Sequence, residues 1–309
     1  MNKLDSQNFK TRDASSYDPV IEQFDHFTDR FSCPLASHLI SLAKMNLADE
    51  ILDIGTGTGV VAIQMAQLKN FHGKVYGIDL SKEMLAKAAS KATRLGLNNK
   101  LNFKEMDAEK LDFDNRKFDL TVSLFALLHF PDPLQALKEI YRVTRPGGKL
   151  VLAVGSGIPI FSLRGWQQII KRLPEFFMKL KGKRLTAPQF LDSLVNQYIP
   201  QKNQSEESEL ALQNHHIRPQ LITKLIKNAG FKVLKTDWFG HQEIIESAEE
   251  FWNIQQTFSS IARKRLSNSS PLVVENLYQI FLEKCQEIQS KGGHLVYATG
   301  AFYVVAQRN

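Results

Sequence analysis

Cysteine is almost missing from this chain of 309 residues, where Cys33 and Cys285 are the only two. Two thiols cannot build the disulfide framework of a small secreted protein; they predict a reducing compartment and side chains that pack rather than react. Long apolar runs are missing too. The greasiest passage, Leu150 to Leu163, is broken by Gly155, Gly157 and Pro159 and is too short for a membrane span. Met1 to Lys10 is polar, so no secretory signal is evident and a cytoplasmic location is expected. There is no internal repeat, no low-complexity tract and no metal-ligand spacing, so no metal is expected. Basic residues exceed acidic ones by only seven, and no recognised RNA or DNA module accompanies them, which argues against a nucleic-acid partner. With 43% apolar and 23% charged residues, the chain has enough apolar surface to bury one full domain with insertions.

Against this background one stretch stands out: Glu50-Ile51-Leu52-Asp53-Ile54-Gly55-Thr56-Gly57-Thr58-Gly59-Val60-Val61. The apolar run Ile51 to Ile54 predicts a buried parallel strand, the glycines a tight turn, and Val60 to Leu68 the opening of a helix. Gly55 and Gly57 let the main chain take turn angles and approach a ligand closely, and the helix start offers unpaired N–H groups to an anion. Val75-Tyr76-Gly77-Ile78-Asp79 then reads as a second strand ending in an acid that can accept hydrogen bonds from both hydroxyls of a ribose. A nicotinamide fingerprint would need its third glycine at position 60, which is Val60, so a dinucleotide is disfavoured.

The form Asp-x-Gly-x-Gly-x-Gly, led by Asp53, resembles motif I of the class I S-adenosylmethionine-dependent methyltransferases. Four further segments resemble the family in order and spacing. They are Leu80 to Leu85 with Ser81 as N-cap, Phe103 to Glu109, the strand Phe118 to Leu124 leading to Ala126-Leu127-Leu128-His129-Phe130-Pro131-Asp132, and Ile140 to Leu152 with its Arg145-Pro146-Gly147-Gly148 turn. The resemblance implies an α/β fold: a Rossmann-like seven-stranded sheet with an antiparallel last strand, plus helical lid insertions. It also implies S-adenosyl-L-methionine as cofactor. Asp53 would lie near its ammonium, Gly55, Gly57 and Gly59 would cradle it, Asp79 would hold the ribose, Met84 would contact the adenine and Asp107 would accept the adenine amino group. Thr56, Leu80, Ala108 and Leu124 would line the same site.

Four regions are expected: N-terminal helices closing over the cofactor (1–48), the cofactor half (49–154), a helical insertion (155–217), and the rest of the sheet (218–309) with a second insertion at about 246–292. In the first region Asp18-Pro19 starts a helix whose Val20, Phe24, Phe27 and Phe31 share a face, continued by Leu35, Leu39 and Leu42. In the first insertion Leu163, Trp166, Ile170, Leu173, Phe177 and Leu180 follow helical spacing, with Pro174 expected to kink the run, and Gln201 to Glu209 reads as an exposed loop. A helix from Arg218 to Gly230 precedes a strand at Lys232 to Phe239. Ser247 and Glu250 have capping-box spacing before Phe251, Ile254, Phe258 and Ile261, and Pro271 opens another helix. His294 to Ala306 supplies the last strand.

Methyl transfer to oxygen needs alignment, exclusion of water and a proton acceptor. His129 lies just past the fourth strand, at the edge of the sheet where reacting groups of open α/β enzymes gather, and is the leading candidate base. His241, after the sixth strand, and His294, before the seventh, are alternatives, while His215 and His216 are expected at the surface. Phe161, Trp166, Phe176, Phe177, Trp238, Phe239, Trp252 and Phe258 lie where relatives cover the acceptor, favouring a lipophilic small-molecule acceptor. Lys171, Arg172, Lys179, Lys181, Lys183 and Arg184 form a basic patch, read first as the solvated face of a helix. It could also meet a carrier protein, a membrane surface or a carboxylated product. The resulting expectation is O-methylation of a lipophilic, polyketide-type natural product. C-methylation of a quinone or prenylated ring is the alternative within the family, and a non-catalytic cofactor-binding partner the alternative outside it.

Overall fold

Five parallel strands carry the first half of the chain, and the inner ones are apolar because they are covered on both faces. In the computed structural model, which describes residues 3–46, 49–157, 184–187, 189–199 and 219–309, they are β1 (Glu50–Ile54), β2 (Lys74–Asp79), β3 (Leu101–Glu105), β4 (Phe118–Leu124) and β5 (Thr144–Gly155). Three more complete the sheet: β6 (Arg184–Ala187), β7 (Lys232–Ile245) and β8 (His294–Gln307). The order is β3-β2-β1-β4-β5-β8-β6, with β7 paired to β8. β8 runs antiparallel to both β5 and β7, as expected for the last strand.

The described sheet therefore has eight strands rather than seven. The extra one, β6, comes from the first insertion. It runs parallel to His294–Tyr297 of β8, beyond the Ala301–Gln307 stretch that β5 occupies, so the two share one edge of β8 end to end while β7 takes the other. A strand of four residues has too little alternation to be read from sequence. β7 also runs on to Ile245, past the expected end at Phe239, so His241 lies within the strand.

Helices flank the sheet. On one face α3 (Cys33–Ala43) and α4 (Val60–Ala66) bury Leu35, Leu39, Val61 and Met65 against Ile51, Val122 and Val151. On the other, α6 (Pro133–Val143) and α8 (Pro219–Asn228) bury Leu137, Ile140, Ile222 and Ile226 against Leu52, Leu150 and Val304. Local capping places these helices. Ser81 accepts from the Met84 N–H (3.1 Å) to start α5 (Lys82–Arg94), and Asp132 accepts from Gln135 N–H (2.9 Å) ahead of Pro133 to start α6.

A third apolar cluster forms a roof over the edge of the sheet where the strands end. It joins α2 (Ile21–Phe27), the wider π-turn Thr28–Ser32, α7 (Gln189–Tyr198), α9 (Ala248–Phe258), α10 (Ser260–Ser267) and α11 (Pro271–Ser290). Phe251, Phe281 and Cys285 are fully enclosed there, each large apolar side chain contributing about 1.5–3 kcal/mol. Burial pushes the Cys285 thiol up to about 12, which leaves it unreactive. Ser247 caps α9 as its spacing predicts. The expected single face from Phe251 to Ile261 is broken, because Ser259 ends α9 and caps α10. A helix at the very start of the described chain, α1 (Lys3–Ser15), was not anticipated. No described helix is long and apolar enough to cross a membrane.

Candidate active site

Where β1 and β4 end, the chain opens a cavity of about 490 Å³, within the usual range for small-molecule sites. Its floor is the glycine turn, through Gly55, Thr56, Gly57 and Thr58; Gly59 does not line it, its Cα facing Ile63 and Ala88 in the core. Gly55, Gly57 and Gly59 all take positive φ (+66°, +54°, +87°), and a Cβ on Gly55 would lie 2.2 Å from that of Ala126, so no other residue fits there. Thr56 N–H bonds to Ile78 O (2.9 Å), stitching the turn to β2.

Asp79 ends β2 beneath this turn and accepts from Gly57 N–H at 2.9 Å and Ser81 N–H at 3.0 Å, one on each carboxylate oxygen. Burial pushes its carboxyl up, and those backbone donors oppose the shift. A carboxylate offers about four lone-pair directions, so Asp79 keeps capacity for a vicinal diol. Two buried hydroxyls in the cavity wall, Thr28 Oγ1 and Thr58 Oγ1, have no partner among the described residues. Orphaned hydroxyls are costly unless a ligand completes them, and Thr58, two residues before the first residue of α4, suits the polar amino-acid end of S-adenosylmethionine. Leu80, Met84, Ala108 and Leu124 supply apolar surface to the same cavity. The residues present thus fit that cofactor.

Asp107 lines the cavity, with one oxygen receiving Glu109 N–H (2.9 Å) and the other Lys10 Nζ (2.8 Å). Asp53 does not line it. Its carboxylate lies behind the turn, only 1% exposed, accepting from the Thr56 hydroxyl at 2.7 Å, so it holds the turn in shape rather than facing a ligand. Burial pushes the Asp53 carboxyl up to about 7, with Thr56 and the Ala62 backbone opposing.

His129 closes the short helix Ala126–His129 after β4 and lines the cavity. Its Nδ1 lies 2.7 Å from Asp13 Oδ2 on α1, and the other oxygen of Asp13 accepts from Lys264 Nζ of α10 at 2.8 Å. Burial pushes the Asp13 carboxyl up, but His129 and Lys264 together hold it well below the usual carboxylate range. An anionic Asp13 facing Nδ1 fixes the imidazole orientation and, in the neutral ring, puts the free lone pair on Nε2. His241 and His294 do not line the cavity. His241 pairs with Glu243 (2.9 Å), and His294 sits exposed at the start of β8.

Aromatic rings form one wall, Phe24, Phe31, Phe258 and Tyr297, with Phe31 and Tyr297 centroids 4.4 Å apart and Phe24 reaching to within 4.0 Å of where a Cβ on Gly57 would lie. Of the aromatic residues expected there, only Phe258 is placed in it among those described. Trp252 is core, packed on Tyr278 and Phe281; Phe239 stacks on His38; the Trp238 indole N–H bonds to Ser156 O (3.2 Å). Phe161, Trp166, Phe176 and Phe177, His215 and His216, the loop 201–209 and the basic stretch up to Lys183 lie outside the described residues. Sequence reasoning missed Lys10, Asp13 and Tyr17, all cavity-lining. The spacing of Phe9, Asp13 and Tyr17 was the one signal that could have found them.

Residues 52–152, which run from within β1 to within β5 and include the glycine turn, match the family model described as a methyltransferase domain. A demethylmenaquinone methyltransferase of Lactobacillus johnsonii is 32% identical over 189 residues, 60% of this chain and 75% of that protein. The aklanonic acid methyltransferase DauC of a Streptomyces species is 27% identical, over 48% of this chain and 66% of its own length. Among solved structures, a Bacillus halodurans protein provisionally described as a methyltransferase superposes with a TM-score of 0.54 at 20% identity, covering 88% of this chain and 98% of its own, which shows the shared fold.

Proposed function

The chain belongs to the S-adenosylmethionine-dependent methyltransferases, and from that premise we propose that it methylates a hydroxyl of a lipophilic, aromatic small molecule. The observation that carries this reading is the cavity itself, in which His129, tied to Asp13, shares one lining with the glycine turn and the rings of Phe24, Phe31, Phe258 and Tyr297. S-adenosylmethionine, when bound, supplies an electrophilic methyl group. Everything else falls to this chain. The aromatic wall stacks a flat acceptor and excludes water, so the attacking oxygen is held in line. His129 Nε2 takes the acceptor's proton, and Asp13 stabilises the imidazolium that results.

A second reading, C-methylation of a quinol ring, is favoured by the relatives named for demethylmenaquinone. The same His129 would then remove a ring hydroxyl proton and raise the nucleophilicity of the neighbouring carbon. Incubating the full chain and labelled S-adenosylmethionine with 2-naphthol and, separately, with 2-methyl-1,4-naphthoquinol distinguishes the two. A methyl ether supports O-transfer, and a ring-methylated product supports the quinol reading. Labelling of neither acceptor would contradict a lipophilic aromatic acceptor.

A further inference from the structure

Two polar side chains interrupt the cavity wall beside the aromatic rings. Asp192 projects from α7, and Ser259 sits at the break between α9 and α10; both line the cavity beside Phe258 and Ile261. The Ser259 hydroxyl donates to Asp192 Oδ1 and accepts from Ala262 N–H at 3.0 Å. Ser259 would cap α10 without Asp192, so the helix start does not require the carboxylate.

Asp192 is half-buried, and a carboxylate partly removed from water is costly unless something completes it. Burial pushes the Asp192 carboxyl up; Ser259 and the more distant Arg265 oppose that, but Arg265 donates to Asn196 Oδ1 (2.6 Å) and makes no hydrogen bond to Asp192. Among the described lining residues, Asp13, Asp79, Asp107 and Asp192 outnumber the one lysine, Lys10, which is committed to Asp107 and Glu109 at 2.8 and 2.6 Å. An acceptor bearing its own carboxylate would therefore meet Asp192 with no second cation among the described lining residues to offset the two charges, whereas a hydroxyl or other N–H or O–H donor would complete its second oxygen.

We propose that Asp192, oriented by Ser259, selects acceptors that carry a hydrogen-bond donor at the end remote from the methylated atom and rejects carboxylated ones. This rests on reading the aromatic end of the cavity as the acceptor site.

Three probes of one shape test it: 2-naphthol, 2,6-dihydroxynaphthalene and 6-hydroxy-2-naphthoate, titrated into the full chain saturated with S-adenosylhomocysteine. Wild type is expected to bind the dihydroxy compound at least tenfold more tightly than 2-naphthol and to bind the naphthoate weakest. Asp192→Asn should narrow the gap between dihydroxy compound and naphthoate by about tenfold, and Asp192→Ala should erase the preference for the second hydroxyl, with affinity for S-adenosylhomocysteine unchanged in both as proof of folding. Equal binding of all three to wild type, or the same ranking in wild type and both variants, would overturn the role of Asp192 alone. Failure of every naphthalene to bind wild type would overturn the aromatic-acceptor reading and this inference with it.

Discussion

The floor and the roof of the cavity are built by different means. The floor is main chain: three glycines at positive φ, a carboxylate taking two backbone N–H groups, and a turn stitched to β2, all from Asp53 to Ser81. The roof is side chain. It draws on α1, α2, α7, α9, α10 and β8, joined by aromatic packing and by ion pairs that cross long stretches of sequence: Lys10 to Asp107, Lys91 to Asp25, Arg30 to Glu243, Lys264 to Asp13. A floor of backbone has one geometry and serves one cofactor. A roof of side chains can change residue by residue, and the proposed acceptor site is built on it.

Breaking the floor should have the largest effect. Gly55→Ala places a Cβ on top of that of Ala126 at a φ that L residues rarely adopt. It is expected to weaken S-adenosylmethionine binding on the order of a hundredfold, about 2–3 kcal/mol, measured by titration calorimetry. Wild-type affinity would mean that the turn does not hold the cofactor.

A pH dependence separates floor from roof next. The folded chain holds the Asp53 proton more tightly than the unfolded chain, so stability from this group is full below its ordinary value of 3.8 and is lost as pH rises through about 7. Asp13 in the roof is shifted the other way: its contribution is present above 3.8 and is lost only as pH falls through its lowered folded value. Between pH 4 and 8 Asp13 should therefore stay ionised while the floor titrates. Melting temperature should fall across that range in wild type and fall less in Asp53→Asn, with a residual slope from Asp79, whose carboxyl burial also pushes up. Equal slopes would remove Asp53 as the cause.

The smallest effect is expected where the roof meets solvent. Arg30, about a third exposed, holds Glu243 at 2.6 Å and Glu250 at 2.5 Å. Arg30→Ala should cost about 1 kcal/mol or less, and the loss should shrink in high salt. A salt-independent loss would point to packing on Phe31, over which the guanidinium lies, instead.

The same contrast explains what could be read from the chain. The floor follows local rules, strand then turn then capped helix, so the glycine turn, Asp79, Ser81 and Met84 all fall where their spacing places them. Asp53 was legible as a motif residue but not as one facing away from the ligand, because pattern carries no direction behind a turn. The roof depends on which distant segments meet. Nothing near Trp252 says that it will pack on Phe281 rather than line the cavity, and nothing in the polar Lys3–Ser15 run says that Asp13 will meet His129, 116 residues away. The eighth strand escaped notice for the same reason, since its four residues become a strand only against β8.

The most direct measurement is steady-state methyl transfer from labelled S-adenosylmethionine to 2-naphthol by wild type and His129→Ala, with cofactor affinity measured in parallel. A drop in kcat of about a hundredfold or more at unchanged cofactor affinity, with the loss shrinking as pH rises toward the pKa of the naphthol, is the expected result for a proton acceptor set at the join of floor and roof. Full activity of His129→Ala would contradict it.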